Sequence, residues 1–488
     1  MQKSSLFKNI IYKIVLNIFN IIIPILVGPY VYRTLGADSI GKVQTSETIF
    51  NYFFIFAVFG IYQYGLREMS RIKDDKIKVN QFFTSMLTLS IGTSIITFVV
   101  YLFFSYIGYG EKAIFPVLMM YSVNLIGNIF YVEWVNEARE KYDFITIKTV
   151  IIKIIYIALL FTLVKTSSDY KQYAFLLILT TVLNNIVSFI YIKRTIKLDF
   201  SNIKIKNHIK PLLLVVIFSN ANVLYNQLDR FMLYEVINEA SVSYYVMAQQ
   251  IMGIINTLML SIIQVTIPRL SYLSGSEDED SYLILLNNIS KIYFAFLFPA
   301  SIGLFVISDV GILLYGGPKF VSAQSTLAVF AIYMISLGIE SILSNQVIYV
   351  KKKENVLVKL VLICGILNFI LNSALIYMKW FSPTTAILTT AISNFLLVIL
   401  EYVYIRKYLK VNYNFLNFSK LKYFYYSLLF LPIAYVIRLF VTHYISIFIV
   451  TVAVCITVYA AILFITKDEI LTMFIDKIKG RFRKPTQS

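Results

Sequence analysis

Long apolar runs alternate with short loops along this chain, and the positive charges concentrate in every second loop. About fourteen of the runs reach the roughly 20 residues that a bilayer core of ~30 Å asks of a helix. They begin near residues 10, 41, 80, 114, 147, 172, 209, 242, 287, 322, 357, 384, 421 and 443. Each run is continuously apolar rather than alternating, which selects helices over a β-barrel. Of the 44 Lys and Arg, 33 fall in the two termini and the loops after even-numbered runs. Only 8 fall in the loops after odd-numbered runs, and three (Lys13, Lys153 and Arg230) lie inside runs. The positive-inside rule turns that asymmetry into a topology with both termini cytoplasmic and short external loops. The expected fold is therefore all-α, a multi-pass protein of the plasma or inner membrane.

Composition supports this and removes other classes. A hydrophobic fraction of 58% and a mean hydropathy of +0.74 exceed what a soluble domain carries. The net charge of +18 does not indicate nucleic acid. Its residues sit in membrane-adjacent loops such as Lys193–Lys210 and Lys351–Lys353, which suits anionic lipid headgroups. Met1–Lys8 is basic, but a full span follows it with no small-residue cleavage site, so no cleaved signal is expected. Cys364 and Cys455 both lie in apolar runs and read as small buried hydrophobes. With only His208 and His443, no zinc spacing or His-centred catalytic group forms. No Walker-type loop occurs, so no ATP motor is expected within the chain. The chain reads as a non-enzyme without metal or cofactor.

The two halves resemble each other. At an offset of 202, Asn20 falls on Asn222, Ser39 on Ser241, Ile40 on Val242 and Glu47 on Gln249. At an offset of 212, Glu133 through Asp143 falls on Asn345 through Asn355. Six spans separate the copies, so both lobes keep one orientation in the membrane. The result is a parallel pseudo-two-fold repeat with a substrate path expected between the lobes. The expected division is an N-lobe over 1–192, a cytoplasmic linker over 193–208 and a C-lobe over 209–405. Two further spans and a basic tail, 406–488, lie outside the repeat.

Polar residues mark equivalent helices of the lobes. The first span carries Lys13, Asn17, Asn20 and Pro24 at spacings that share one helical face. The seventh carries Ser219, Asn222, Asn226 and Asp229, widened by Gln227 and Arg230. The second adds Gln44, Glu47, Thr48 and Asn51, and the eighth adds Gln249, Gln250 and Asn256. Polar groups in hydrocarbon are costly and normally face a bundle interior or a wet cavity. Two readings stand for each amide: a cavity lining, or a hydrogen bond gluing helices together. Lys153 and Arg230 lie deep enough to line a cavity. Lys13, near a helix end, lines it or snorkels to the interface, and Arg33 closes the first span where an interfacial arginine is equally at home. Asp229 and Arg230 also allow local charge compensation. Glu47, Asp229 and Glu340 are carboxylates placed where a proton or Na⁺ could be taken up. Pro24, Pro116, Pro268 and Pro299 permit bending. Glu277–Asp280 reads as a solvated loop. Glu469–Arg483 is amphipathic and reads as a helix lying on the inner membrane surface.

Several stretches resemble bacterial Wzx-type polysaccharide repeat-unit flippases. They are Pro29-Tyr-Val-Tyr-Arg-Thr-Leu-Gly-Ala-Asp-Ser-Ile-Gly41, read as a first external turn, and Gly60-Ile-Tyr-Gln-Tyr-Gly-Leu-Arg-Glu68. Also similar are Trp134 ahead of Glu137, Leu228-Asp-Arg-Phe-Met-Leu233, Ile267-Pro-Arg-Leu270, Gln346 ahead of Lys351–Lys353, and Asn368 with Asn372. The resemblance covers about residues 5–410. It implies the multidrug/oligosaccharidyl-lipid/polysaccharide exporter superfamily, with two six-helix lobes, alternating access and transfer of undecaprenyl-pyrophosphate-linked oligosaccharides to the outer leaflet. It implies capsule, exopolysaccharide or O-antigen-type assembly, with membrane lipids, a polysaccharide polymerase and chain-length or export machinery as partners. Arg230, Lys153, Lys13, Arg33 and Arg67 would then meet the pyrophosphate, while Asn17, Asn20, Asn51, Asn222, Asn226 and Gln249 would meet sugars. The alternatives are a multidrug/cation antiporter of the same fold, for which the buried charges are too cationic, and a polysaccharide polymerase or acyltransferase. A polymerase would carry a long external loop. Directional transport would draw on a proton or sodium gradient or on product removal outside.

Overall fold

The computed structural model describes residues 3–201, 203, 205–276 and 278–472. Every element among them is helical, with no strand. Twelve segments are long and apolar enough to cross a membrane. The first of these, Ile11–Ile72, is 62 residues long and bends in its middle, so it supplies two crossings. The helix Ile205–Val236 adds 32 residues, ample length for one more. The all-α architecture of about fourteen crossings is therefore as the hydropathy predicts.

Two compact units divide the chain, Met1–Val246 and Met247–Ser488. The first contains α1 (Lys3–Val58), α2 (Ile61–Ile72), α3 (Lys76–Tyr109), α4 (Phe115–Gly127), α5 (Glu133–Ala138), α6 (Tyr142–Leu163), α7 (Tyr170–Lys193) and α8 (Ile205–Val236). The helix α9 (Glu239–Gly275) begins in it. The second contains α10 (Glu279–Val306), α11 (Ser308–Gly316), α12 (Gln324–Ser341), α13 (Glu354–Tyr377), α14 (Pro383–Lys407), α15 (Phe418–Leu428), α16 (Phe430–Phe440) and α17 (Tyr444–Ile465). A π-helical turn, Ile342–Ile348, extends α12.

The expected turn across Pro29–Gly41 is not a loop. It shrinks to a bend at Gly36, whose φ of 76° and ψ of 174° interrupt an otherwise continuous α1. Only glycine takes that conformation without strain. Five residues on, Gly41 packs against the start of α9. A Cβ there would sit 2.0 Å from the Glu239 carbonyl oxygen. The second resembling stretch is also structural. Phe59 and Gly60 turn the chain with φ of 48° and 71°, and Gly65 lies flat beneath Trp134, whose ring a Cβ would approach to 2.8 Å. Trp134 is buried with Met69, Phe82, Phe83 and Met86 in the core of this end of the unit. Tyr64 joins that core and bonds the His208 ring at 2.7 Å.

Helix starts follow local chemistry. Asp75 caps α3 by accepting from the Ile77 and Lys78 N–H groups, each at 3.1 Å. Those donors hold its carboxyl below the usual range. Ser382 and Thr385 form a capping box around Pro383 at the start of α14. In the second unit Ile302, Val306, Phe430, Ala434 and Cys455 pack together, and Cys364 and Cys455 are free and buried. Among the described residues no group of His, Cys, Asp and Glu is arranged to hold a metal ion. Glu277 and residues 473–488 lie outside the described residues, and with them most of the expected surface helix.

Candidate functional site

The first unit holds a half-open cavity of about 580 Å³, within the range of small-ligand sites. Four of its lining side chains are amides: Asn51, Gln63, Asn185 and Gln227. Phe54, Tyr62 and Tyr131 add aromatic faces, and Thr181 a hydroxyl. Five elements place them. The bend at Gly36 aims the second leg of α1, with Asn51 and Phe54, along the cavity. The left-handed turn at Phe59–Gly60 then redirects the chain and delivers Tyr62 and Gln63 on α2. Tyr131 stands on the extended residue ahead of α5. Thr181 and Asn185 are one turn apart on α7, and Gln227 comes from α8.

The aromatic wall is fixed. The Tyr62 and Tyr131 rings stack at 6.1 Å and 20°, and the Tyr62 hydroxyl donates to the Glu137 carboxylate at 2.9 Å. The Asn185 amide donates to the Gly127 carbonyl at 3.2 Å. Arg230 reaches the wall through Gln227, donating to its Oε1 at a long 3.5 Å. Asp229 is 1% exposed and accepts from the Tyr245 hydroxyl at 2.7 Å. Arg230 acts electrostatically on Glu47 and on Tyr52. Glu47, one turn before Asn51 on α1, thus lies within the electrostatic reach of Arg230 near the cavity of amides and rings.

The other cations are dispersed. Lys153 donates to Asn20 at 2.5 Å, tying α6 to α1. Lys13 sits 5.5 Å over the Tyr142 ring, and Arg67 pairs with Glu68 at 2.9 Å with its side chain 56% exposed. Arg33 and Asn17 are exposed on α1, and Gln249 is half-buried on α9. The side chains of Asn222 and Asn226 lie outside the described residues. Glu340 is in the second unit, where its carboxyl meets Ser344. The resembling pair Asn368 and Asn372 bonds Thr390 and Thr389 on α14, at 2.9 Å and 2.5 Å, interhelical links of the kind amides make in membranes.

Sequence reasoning missed Tyr62, Gln63, Tyr131, Thr181 and Asn185. Tyr62 and Gln63 lie inside the resembling stretch Gly60–Glu68, and Asn184-Asn185 is a polar pair within an apolar run. A second omission is Lys148, which is buried and bound to Glu133 at 2.9 Å and to Ser188 at 2.6 Å. A third is Glu401, the one acid inside the span Pro383–Lys407.

Residues 6–274 match the family described as polysaccharide biosynthesis protein. The chain belongs to that family. This bears out the resemblance to polysaccharide repeat-unit flippases, transporters rather than enzymes. Two relatives carry the name "Putative O-antigen transporter". The one from Escherichia coli (strain K12) is 26% identical over 170 residues, 34% of this chain and 40% of its own. The one from Shigella dysenteriae is 21% identical over 381 residues, 76% of this chain and 93% of its own. Among solved structures, one described as "Lipid II flippase MurJ, inward closed conformation" shares the fold. Its TM-score is 0.71 at 19% identity, covering 94% of this chain and all of that one. The family member described here is thus a multi-pass membrane transporter of polysaccharide biosynthesis.

Proposed function

We propose that this protein flips undecaprenyl-pyrophosphate-linked oligosaccharide repeat units from the inner to the outer leaflet of the cell membrane, by alternating access. The units would feed assembly of a capsule, exopolysaccharide or O-antigen-type polymer. The observation that carries this reading is the cavity of four amides and two stacked tyrosines in a membrane transporter of polysaccharide biosynthesis. Amides satisfy sugar hydroxyls pairwise, and tyrosine rings stack on the apolar faces of pyranoses. Arg230, at the rim through Gln227, supplies the charge-assisted contact that a pyrophosphate needs. Lys153, Lys13, Arg33 and Arg67 meet the diphosphate at other stages of the passage. The loop charges support cytoplasmic termini, so the substrate is loaded from inside. Drive comes from an ion gradient taken up at Glu47 or Asp229, or from a polymerase that removes product. The test is genetic. Deletion in a strain without a second flippase should abolish surface polymer and leave lipid-linked units in the inner leaflet. Surface polymer at the parental level would overturn the reading.

A further inference from the structure

Ser344 lies on the π-helical turn that follows α12, and its hydroxyl stands between two carboxyl groups. Its Oγ is 2.8 Å from Glu340 Oε1 and 2.6 Å from Glu401 Oε1. Both contacts have O–H···O hydrogen-bond length. A serine hydroxyl has a single proton to donate. It satisfies one carboxylate, and the second short contact then requires a proton on the other carboxyl, donated back to Ser344 Oγ. With both acids ionised, two lone pairs would face each other at 2.6–2.8 Å with nothing between them.

The surroundings point the same way. Glu401 is fully buried, and among the described residues its Oε2 has no hydrogen-bond partner. An unpaired carboxylate oxygen in such a place carries a heavy desolvation cost, which protonation removes. The groups within electrostatic reach of the pair on the neighbouring helices are uncharged types: the Tyr293 hydroxyl of α10 near Glu340 and the Cys364 thiol of α13 near Glu401. Among the described residues no lysine or arginine acts on either carboxyl. The turn that holds Ser344 is π-helical, a local widening that recurs at functional sites.

We infer that Glu340 and Glu401, bridged by Ser344, form a binding site for one proton. The ligand is a proton rather than a metal ion because the three oxygens are spaced for hydrogen bonds. As a coupling site, the dyad rests on the flippase reading above; as a proton site, it does not.

The experiment is infrared spectroscopy of the purified full chain in lipid nanodiscs near neutral pH, counting protonated carboxyl groups by their C=O band. The double variant Glu340→Gln/Glu401→Gln should lose the intensity of one carboxyl relative to wild type. A loss of none, meaning both are ionised, or of two, meaning each is protonated alone, overturns the proposal. Replacing choline chloride by NaCl should leave the band in place, and its disappearance would assign the site to a metal ion instead. Should the double variant not fold, Ser344→Ala serves. It keeps both acids and removes the bridge, so the band must shift, and an unmoved band overturns the proposal. Absent transport with the band intact strikes the flippase reading and leaves the dyad standing.

Discussion

Replacing Lys148 by Met should destabilise the first unit more than the loss of any surface ion pair. The Lys148 side chain is 5% exposed and lies 2.9 Å from Glu133 Oε2, itself only 16% exposed. The Ser188 hydroxyl, 2.5 Å away, and Asn136 bond the same oxygen. Removing the lysine leaves a carboxylate largely out of water with neutral donors alone. Breaking a buried pair from one side costs about 3–5 kcal/mol, most of it the uncompensated charge. For a unit of this size each kcal/mol moves the midpoint by roughly 2–4 °C, so a fall of about 6–20 °C is expected. The double variant Lys148→Met/Glu133→Gln removes both charges and should recover at least half of that loss. Exposed pairs such as Arg67–Glu68 are worth about 0–1 kcal/mol, so Arg67→Ala serves as the control. The assay is the thermal midpoint of each variant in one detergent. A Lys148→Met midpoint within about 2 °C of wild type, or a double variant no better than the single, would refute the reasoning.

Other outcomes follow from the same geometry. Gly41→Ala places a methyl 2.0 Å from the backbone oxygen of Glu239. It should cost at least about 1–3 kcal/mol, read as a lowered midpoint and yield; an unchanged midpoint would show that α1 does not pack there. Arg230→Ala should cut polymer export by roughly 10- to 150-fold with protein level unchanged, the loss of a charge-assisted bond worth about 1.5–3 kcal/mol. Arg230→Lys should rescue part of the export if charge alone matters, and little if both guanidinium arms are used. Glu47→Gln should uncouple flipping from an imposed gradient while substrate binding persists. Coupling that survives the change would reduce Glu47 to a partner of Arg230.

Much of this architecture can be read from the sequence, because a bilayer leaves a long apolar run few options. The charge asymmetry and run lengths predict an all-helical membrane protein, and the resembling stretches predict its family. The meaning of those stretches was less legible. Gly36, Gly41, Gly60 and Gly65 are set by a bend and by close packing against Glu239 and Trp134, contacts made across long chain separations that local pattern does not encode. The cavity was half visible. Asn51 and Gln227 stood out on polar faces, but Tyr62 and Tyr131 are ordinary tyrosines in a chain with 37 of them, and only the turn at Gly60 makes them face each other. Lys148 reads as one more basic residue after a span. Its burial follows from Glu133 and Ser188, which lie 15 and 40 residues away.

The central claim is that the amide-and-tyrosine cavity handles a lipid-linked glycan during its crossing. The direct measurement is translocation of a polyprenyl-pyrophosphate-linked oligosaccharide across proteoliposomes, scored by access of an external enzyme to the sugar. Wild-type protein should speed the crossing over empty vesicles, and Gln63→Ala with Asn185→Ala should remove most of that gain while lowering the thermal midpoint by only the few degrees that the lost Asn185–Gly127 bond is worth. No acceleration by wild-type protein, or full acceleration by the stable cavity variant, would contradict the account.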